Sequence, residues 1–219
     1  MLYIFGTASD LCKKLFFENN KTITQEHDLK NQQADVYFNQ VNLQIQPQEF
    51  RIMSVAVIMG SKSDLDIVQG TFDILEKFDI PFEARVLSAH RTPDEAAEYA
   101  KNAKSRGIKV IICAAGMAAH LGGVIAAHTT LPVVGVPVAS APFNGLDALF
   151  SFVQMPPGIP VATVTAGKAG GKNAALYAAS ILALSDEKIA LQLENFRKEQ
   201  RESVLKADEE LQKAIEGEK

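Results

Sequence analysis

The segment "FEARVLSAHRTPDEAAEYAKNAKSRG", residues 82–107, contains one complete strand, loop and helix pattern. A short apolar run at 82–87 precedes a polar loop at 88–93, and the residues from 93 onward have helical spacing. A short apolar run followed by a helix-length segment is the repeating unit of an α/β protein. The same alternation recurs from Met53 to the end of the chain, so the sequence predicts an α/β fold.

Five runs of this kind are β-branched or fully apolar, as in strands that are covered on both faces. Right-handed crossovers between such units give a parallel sheet between two layers of helices. The predicted strands are 54–59, 82–87, 109–115, 132–138 and 160–164, and the predicted helices are about 64–78, 93–106, 118–129, 145–154 and 170–184.

Composition limits the functional classes. The 219 residues carry a net charge of -4, so no basic footprint supports nucleic-acid binding. Cys12 and Cys113 lie far apart without Cys/His spacing around them, which argues against a disulfide framework and against a zinc site. The N-terminus lacks a basic stretch before its apolar residues, and no apolar run approaches the roughly 18 residues that span a bilayer. We therefore expect a soluble, cytoplasmic protein without a metal.

The two ends of the chain differ from its middle. Residues 1–52 hold one of the 14 glycines and one of the 9 prolines, and we interpret them as an N-terminal extension of unknown role. Residues 53–185 form the predicted α/β catalytic domain. Residues 186–219 predict a long amphipathic C-terminal helix, with Ser185 as its N-cap and with Ile189, Leu193 and Phe196 at helical spacing. Such a helix needs a surface to cover, in its own chain or in a neighbour.

Ligands of open α/β sheets bind at the carboxyl ends of the strands. We therefore expect the five strand-to-helix loops to converge on one site. These loops are rich in small residues, which allow a polar ligand to approach the backbone closely. They read "GSKSD" (60–64), "SAHRTP" (88–93), "AGMAAHLGG" (115–123), "ASAPFNG" (139–145) and "TAGKAGGKN" (165–173).

Two of these loops have alternative interpretations. Ser61, Ser63 and Asp64 are preferred capping residues, and they are also suited to bind a phosphate and a sugar hydroxyl at a helix N-terminus. The last loop suggests a nucleotide-binding P-loop, but Ala166 and Asn173 stand where that motif needs Gly and Ser or Thr. An ATP-hydrolysing site is therefore excluded, and no GxGxxG follows any predicted strand.

The second loop places a histidine beside an arginine. The Arg91 guanidinium binds phosphate or carboxylate bidentately, and His90 can exchange a proton near neutral pH. His90 is therefore the predicted proton carrier of the site. His120, on the third loop, is expected to line the same pocket, whereas His128 is expected to be structural, as is Cys113 inside its apolar strand.

Six motifs in this order resemble the bacterial-type (class I) 5-(carboxyamino)imidazole ribonucleotide mutases of purine biosynthesis, over about residues 54–200. The resemblance implies a three-layer αβα architecture with a doubly wound, flavodoxin-like parallel sheet. The animal-type (class II) branch tends to have lysine at the position of Arg91 and to lack the histidine at 120, so the resemblance favours the mutase branch. The motifs are "MGSKSD", "SAHRTP", "AAHL", "GVPV", "SFVQMPPGIPV" and "GKAGGKNAALYAASIL".

The resemblance also implies roles for particular residues. The first loop would hold the ribose phosphate, Arg91 would bind phosphate and His90 would be catalytic. Ser88 and Ala89 would form the adjoining wall, and the third loop would close over the imidazole and the carboxylate. The implied substrate-binding residues are Ser61, Ser63, Asp64, Ser88, Ala89, Arg91, Gly116, Ala118, Ala119, His120 and Leu121. Gly122 replaces the family's usual proline and Met117 a common glycine, so we expect a more flexible third loop.

The implied reaction moves a carboxyl group from the exocyclic nitrogen of an aminoimidazole to ring carbon 4. It needs no cofactor, and the family's members are octamers with C-terminal helices packed on neighbouring subunits. Two other functions stay open at this point. One is direct carboxylation of aminoimidazole ribonucleotide with carbon dioxide. The other is a non-catalytic module that binds a phosphorylated ligand in the same crevice.

Overall fold

A computed structural model of the chain describes residues 54–217. The predicted N-terminal extension, 1–52, lies outside the described residues. The elements are β1 (Val55–Met59), α1 (Leu65–Lys77), β2 (Phe82–Val86), α2 (Pro93–Ala103), β3 (Val110–Gly116), α3 (Leu121–His128), β4 (Val133–Val138), α4 (Leu146–Val153), β5 (Ala162–Thr163), α5 (Gly167–Leu182) and α6 (Glu187–Gly217).

The strands form one parallel sheet in the order β2-β1-β3-β4-β5. The described chain therefore has the doubly wound, flavodoxin-like order, which confirms the predicted fold class. Successive residues of β3 point to opposite faces and are buried on both: Ile112 belongs to the core beneath α1 and α5, and Ile111 to the core beneath α2, α3 and α4. Helices cover both faces, as a parallel sheet requires.

The two edge strands differ from the prediction. Residues Ala84, Arg85 and Val86 of β2 are exposed, because β2 has a pairing partner on one side only within the described chain. β5 is reduced to Ala162–Thr163, instead of the predicted 160–164, and Pro160, which has no N–H to donate to a ladder, lies before it. Burial on both faces therefore holds for β1, β3 and β4, the central strands.

The glycine-rich segment after β5 is part of a helix. Most of the predicted loop 165–173 belongs to α5, which begins at Gly167. A side chain at Gly171 would collide with the carbonyl oxygen of Ile67 in α1, and the Thr71 hydroxyl donates a 2.8 Å hydrogen bond to the carbonyl of Gly171. This glycine therefore permits close packing of α1 on α5, and it does not face a ligand.

The apolar contacts of the long helix α6 lie in its first third, and an ion pair between Lys77 and Glu199 follows just beyond them. Asp186 caps it by accepting hydrogen bonds from the N–H groups of Lys188 and Ile189, so the predicted N-cap, Ser185, is wrong by one residue. Ile189 is buried, and Leu193 and Phe196 pack against the core as their spacing predicts. Every residue from 197 to 217 is exposed. Within residues 54–217 no helix, α6 included, is long and apolar enough to cross a membrane.

Candidate active site

A cavity of about 570 Å³ lies where the carboxyl ends of β1, β2, β3 and β4 meet. It opens at the edge of the sheet where ligands of this architecture bind. The residues that line it are Gly60, Ser61, Ser63, Asp64, Ser88, Ala89, His90, Arg91, Ala115, Gly116, Met117, Ala118, His120, Leu121, Val138 and Ser140.

The loop after β1 forms a capped turn at one end of the cavity. The Ser61 hydroxyl accepts a 3.3 Å hydrogen bond from the N–H of Ser63, and the Asp64 carboxylate accepts a 3.1 Å hydrogen bond from the N–H of Ser61. The Ser63 hydroxyl donates to Ser61 at 2.9 Å. Ser61 and Asp64 therefore cap the short 3-10 turn Lys62–Asp64, whereas no side chain caps α1 itself, and all three side chains line the cavity.

Asp64 is 7% exposed and is the one acidic side chain among the described residues that line this cavity. Burial raises the pKa of this carboxyl above its ordinary value. The hydrogen bonds from Ser61 and Ser63 and the positive charge of Arg91 act in the opposite direction and are smaller. The polypeptide thus holds a carboxylate where water solvates it poorly, which is unfavourable for folding.

The loop after β2 is closed by its own side chains. Thr92 accepts a 2.9 Å hydrogen bond from the N–H of Ser88, and the Thr92 hydroxyl donates back to the Ser88 carbonyl at 3.1 Å. The Ser88 hydroxyl accepts hydrogen bonds from the N–H groups of His90 and Arg91 at 3.4 and 3.2 Å. These contacts fix the backbone from which both functional side chains project.

Arg91 reaches across to the first loop. One terminal nitrogen of its guanidinium donates a 2.9 Å hydrogen bond to the carbonyl of Gly60. Its Nε donates to the Ser88 hydroxyl at 3.4 Å. With Asp64 in Coulombic range, these contacts hold a permanent positive charge beside the hydroxyls of the first loop, an arrangement suited to a phosphate monoester next to a sugar.

His90 and His120 form a hydrogen-bonded pair. Nε2 of His90 lies 2.9 Å from Nδ1 of His120, and the rings meet edge to face with centroids 5.0 Å apart. A hydrogen bond between two imidazoles requires one nitrogen to carry hydrogen and the other to offer a lone pair. The facing nitrogens can therefore hold one proton between them.

The loop after β3 supplies the opposite wall of the cavity. Met117 adopts a left-handed backbone conformation, with φ of 56°, and its side chain is 61% exposed at the mouth. Gly116 leaves little room for a side chain, because a Cβ there would lie 3.1 Å from the carbonyl oxygen of Val138. This wall is consequently made of backbone and small side chains.

The structure brings together the predicted site residues of the first three loops, with the exception of Ala119. Ala119 is buried in the core beneath α3 and does not line the cavity. The expectation that five loops converge is wrong for the last loop, since residues 165–173 do not reach the cavity. Ser140 of the fourth loop, "ASAPFNG", also lines the cavity, although no local pattern in the sequence distinguishes it.

A larger cavity of about 1020 Å³ lies at the opposite edge of the sheet. His128 lines it as the exposed last residue of α3, so it belongs to the predicted helix and lies outside the smaller cavity. The lysines of the larger cavity, Lys101 and Lys104, are exposed, and within residues 54–217 their side chains make no hydrogen bond or ion pair that would orient them toward a common ligand. The smaller cavity, with its hydrogen-bonded polar groups, is the better candidate site. Among the described residues, no three His, Cys, Asp or Glu side chains are grouped to hold a metal ion.

Gly122 makes room for the ring of Phe152, and it does not loosen the third loop. It lies inside α3 and is buried, and a Cβ on it would approach Cε1 of Phe152 to 2.5 Å. A Cβ on Gly135 in β4 would meet the same ring at 2.5 Å. The fully buried Phe152 thus occupies a slot between two glycines, and the expected loop flexibility gives way to tight packing.

The sheet and the cavity define a flavodoxin-like α/β protein. Its site combines an anchored arginine, the serine hydroxyls of a capped turn and a histidine pair. The sequence model of the AIR carboxylase family matches residues 54–203. The chain belongs to this family.

Named relatives support the same assignment. The N5-carboxyaminoimidazole ribonucleotide mutase of Bacillus subtilis is 53% identical over 157 residues, which is 72% of this chain and 97% of that protein. The mutase of Thermotoga maritima is 51% identical over 158 residues, 72% of this chain and 91% of that protein. Among solved structures, that of Treponema denticola PurE superposes with a TM-score of 0.65 at 30% identity, over 72% of this chain and 97% of that one.

Replacing Asp64 with Asn is expected to stabilise the protein against unfolding at neutral pH. The pKa of the carboxyl is higher in the folded than in the unfolded chain, so ionisation penalises the folded state. The penalty is absent at pH values below the pKa of the carboxyl in the unfolded chain, about 3.9. It reaches its full size at pH values above the pKa in the folded chain. The gain from Asp64→Asn should therefore grow as pH rises through that window, measured by urea unfolding at several pH values.

The exposed Asp66, which pairs with Lys168 at the surface, provides the control. Asp66→Asn should change stability little, because exposed ion pairs contribute little. A loss of stability in Asp64→Asn that is equal at every pH would contradict the burial argument and would assign Asp64 a purely capping role.

Gly122→Ala is expected to destabilise the protein by about 1–3 kcal/mol, the usual cost of overpacking a core. Combining it with Phe152→Leu should relieve the collision, so the double variant should be more stable than the sum of the two single effects predicts. Urea unfolding of all four proteins gives the coupling as a double-mutant cycle.

Gly123→Ala serves as the matched control in the same helix. Its Cβ would meet only the flexible end of Met155, at 3.2 Å, so the effect should be small and independent of Phe152. A coupling near zero between positions 122 and 152 would show that the ring does not require the glycine.

Proposed function

We propose that the chain is an isomerase of purine biosynthesis that converts 5-(carboxyamino)imidazole ribonucleotide into 4-carboxy-5-aminoimidazole ribonucleotide. The observation that carries this proposal is the His90–His120 pair beside the anchored Arg91 in one cavity. Family membership and the mutase names of relatives above 50% identity support the same substrate. The nucleotide is a small molecule. Its phosphate and sugar match the end of the cavity with Arg91 and the serine hydroxyls, and its base matches the end formed by the small residues of the third loop.

The substrate is proposed to bind with its phosphate at Arg91 and its ribose at the first loop. Ser61 and Ser63 offer hydroxyls there, and the Asp64 carboxylate can accept a hydrogen bond from a sugar hydroxyl. Ser88 and Ala89 form the wall between this end and the base. The imidazole would then lie against Gly116, Ala118, His120 and Leu121, with Ala119 supporting this loop from the core.

His90 is proposed to move one proton in each direction. As an imidazolium it protonates the carbamate nitrogen, the bond from that nitrogen to the carboxyl carbon breaks with its electron pair left on nitrogen, and carbon dioxide is released within the cavity. Carbon 4 of the electron-rich ring then attacks carbon dioxide. The new carbon–carbon bond forms as one C=O π pair moves onto oxygen, which gives the new carboxylate. Neutral His90 takes the proton from carbon 4 and restores aromaticity, so no cofactor is needed to balance the reaction.

His120 is proposed to orient His90 during this exchange. Because the two facing nitrogens can hold one proton between them, the pair limits the ring of His90 to orientations in which its hydrogen and its lone pair are defined. A general acid–base group of this kind contributes about 100- to 10,000-fold to the rate. Retention of carbon dioxide next to carbon 4 adds the benefit of proximity.

His90→Asn is expected to abolish turnover and to leave ligand binding intact. Purified wild type incubated with the carbamate substrate should form the 4-carboxy isomer, followed by absorbance or NMR, without ATP or biotin. The rate of the variant should fall by at least about 100-fold, and calorimetry should show similar affinity for the product.

The alternatives give different results in the same experiment. Turnover of aminoimidazole ribonucleotide with bicarbonate, without turnover of the carbamate, would replace the mutase by a direct carboxylase. Tight binding of both nucleotides without any turnover would indicate a non-catalytic binding module.

We further propose that the protein assembles into a homo-octamer and works in the cytoplasm. Residues 53–185 would form the catalytic domain, the helix from 186 to 219 would pack on a neighbouring subunit, and residues 1–52 would be an appended segment. Exposed apolar side chains support a subunit contact, because Met117 and Phe143 are 61% and 62% exposed and α4 carries an apolar stripe. Leu146, Phe150 and Val153 form this stripe at helical spacing, and they are 56%, 56% and 48% exposed.

Light scattering on the full chain should give the mass of eight subunits. Phe150→Ser should shift the mass to smaller species, because the apolar stripe would lose its central ring. Leu184→Ser, at a residue that is 88% exposed between α5 and α6, is the control and should leave the mass unchanged. A fully active monomeric wild type would refute the assembly.

A further inference from the structure

Ser140 differs from the other serines of the cavity. It follows β4 and lines the cavity, and its hydroxyl oxygen is shielded from solvent. Among the described residues it has no hydrogen-bond partner, whereas the hydroxyls of Ser61, Ser63 and Ser88 all take part in hydrogen bonds. A buried hydroxyl without a partner is unfavourable, and alanine would avoid this cost. A group bound in the cavity would supply the partner that the fold does not.

The position of Ser140 indicates which part of a ligand it meets. Its oxygen lies 3.5 Å from the point that a Cβ on Gly116 would occupy, so it lies against the wall formed by the third loop. Arg91 and Asp64, the charged groups of the cavity, are joined to the first two loops instead. With the phosphate at Arg91, as the proposed function requires, Ser140 lies at the end that receives the base and its carboxyl group.

The wall around Ser140 is suited to carbon dioxide. Ala115, Gly116, Ala118 and Val138 present small or apolar surfaces that do not hydrate a neutral, linear molecule. Such a molecule still has oxygens that accept a hydrogen bond, and so do the carboxylates that precede and follow it in the reaction. A single neutral hydroxyl in an apolar wall can serve all three species without binding either carboxylate as strongly as a charged group would.

We propose that the Ser140 hydroxyl donates a hydrogen bond to the carboxyl group in transit and holds carbon dioxide beside carbon 4 between the two steps. This role rests on the proposed mutase function. Once the bond from nitrogen to the carboxyl carbon has broken, carbon dioxide either reacts with carbon 4 or escapes and leaves aminoimidazole ribonucleotide. Ser140 therefore determines how the reaction partitions between isomerised product and escaped amine.

The test measures both products of one reaction. Wild type, Ser140→Ala and Ser140→Thr are incubated with the carbamate substrate, and the 4-carboxy isomer and the free amine are quantified after subtraction of the enzyme-free breakdown. Ser140→Ala should raise the ratio of amine to isomer by about tenfold or more, the effect of losing one hydrogen bond to a reacting group. Ser140→Thr keeps the hydroxyl and should lower the ratio again. Ser180→Ala removes an exposed hydroxyl of α5 and should match wild type.

A second measurement covers the case in which Ser140→Ala turns over too slowly. Calorimetry compares the affinities of wild type and Ser140→Ala for the 4-carboxy product and for the amine that lacks the carboxylate. The variant should lose affinity for the carboxylated nucleotide alone, and an equal change for both would overturn the proposal, as would an unchanged partition ratio in an active variant. A wild type that does not convert the carbamate would instead reject the function on which the proposal rests.

Discussion

The site depends on the register in which the parallel strands end. Met59 of β1 pairs with Val86 of β2 on one side and with Ala114 of β3 on the other. The backbone hydrogen bonds continue just past the strands, from Leu87 to Met59 and from Gly60 to Ala114, each at 3.0 Å. Three loops are thereby held side by side, and each can be short because the sheet has already positioned it.

This register explains why residues that are distant in sequence act together. His90 follows β2 and His120 follows β3, and these strands are separated in the sheet by β1. The histidine pair therefore bridges across the end of β1 above Gly60, whose carbonyl also receives the guanidinium of Arg91. Small residues at these strand ends leave room for both crossings. The site is thus a property of the sheet as a whole, and no single loop contains it.

Much of this arrangement could be predicted from the sequence, because its signals are local. The alternation of apolar runs with segments of helical spacing predicted the strands, the helices and the parallel sheet. Small or polar residues marked the loops at one edge of that sheet. Long-range packing left no comparable local signal. The glycines of α5 resemble a phosphate-binding loop until the backbone of Ile67 is seen against Gly171, and Gly122 suggests a loose loop until the ring of Phe152 is placed beside it. Ser140 was overlooked for the same reason, since a hydroxyl without a partner is recognisable only once its surroundings are known.

The exposed edge strand β2 leads into the loop that carries His90 and Arg91. The outer edge of this strand has no pairing partner within the described residues, and Arg85 is the charged side chain at its exposed end. Unpaired strand edges recruit other strands, and charges at such edges oppose recruitment. Because Leu87 leads directly into the loop that carries His90 and Arg91, a foreign strand added along β2 would lie next to that loop. Under the proposed function, aggregation through this edge would lower turnover while the fold is still intact, so lost activity would be an early sign of misassembly.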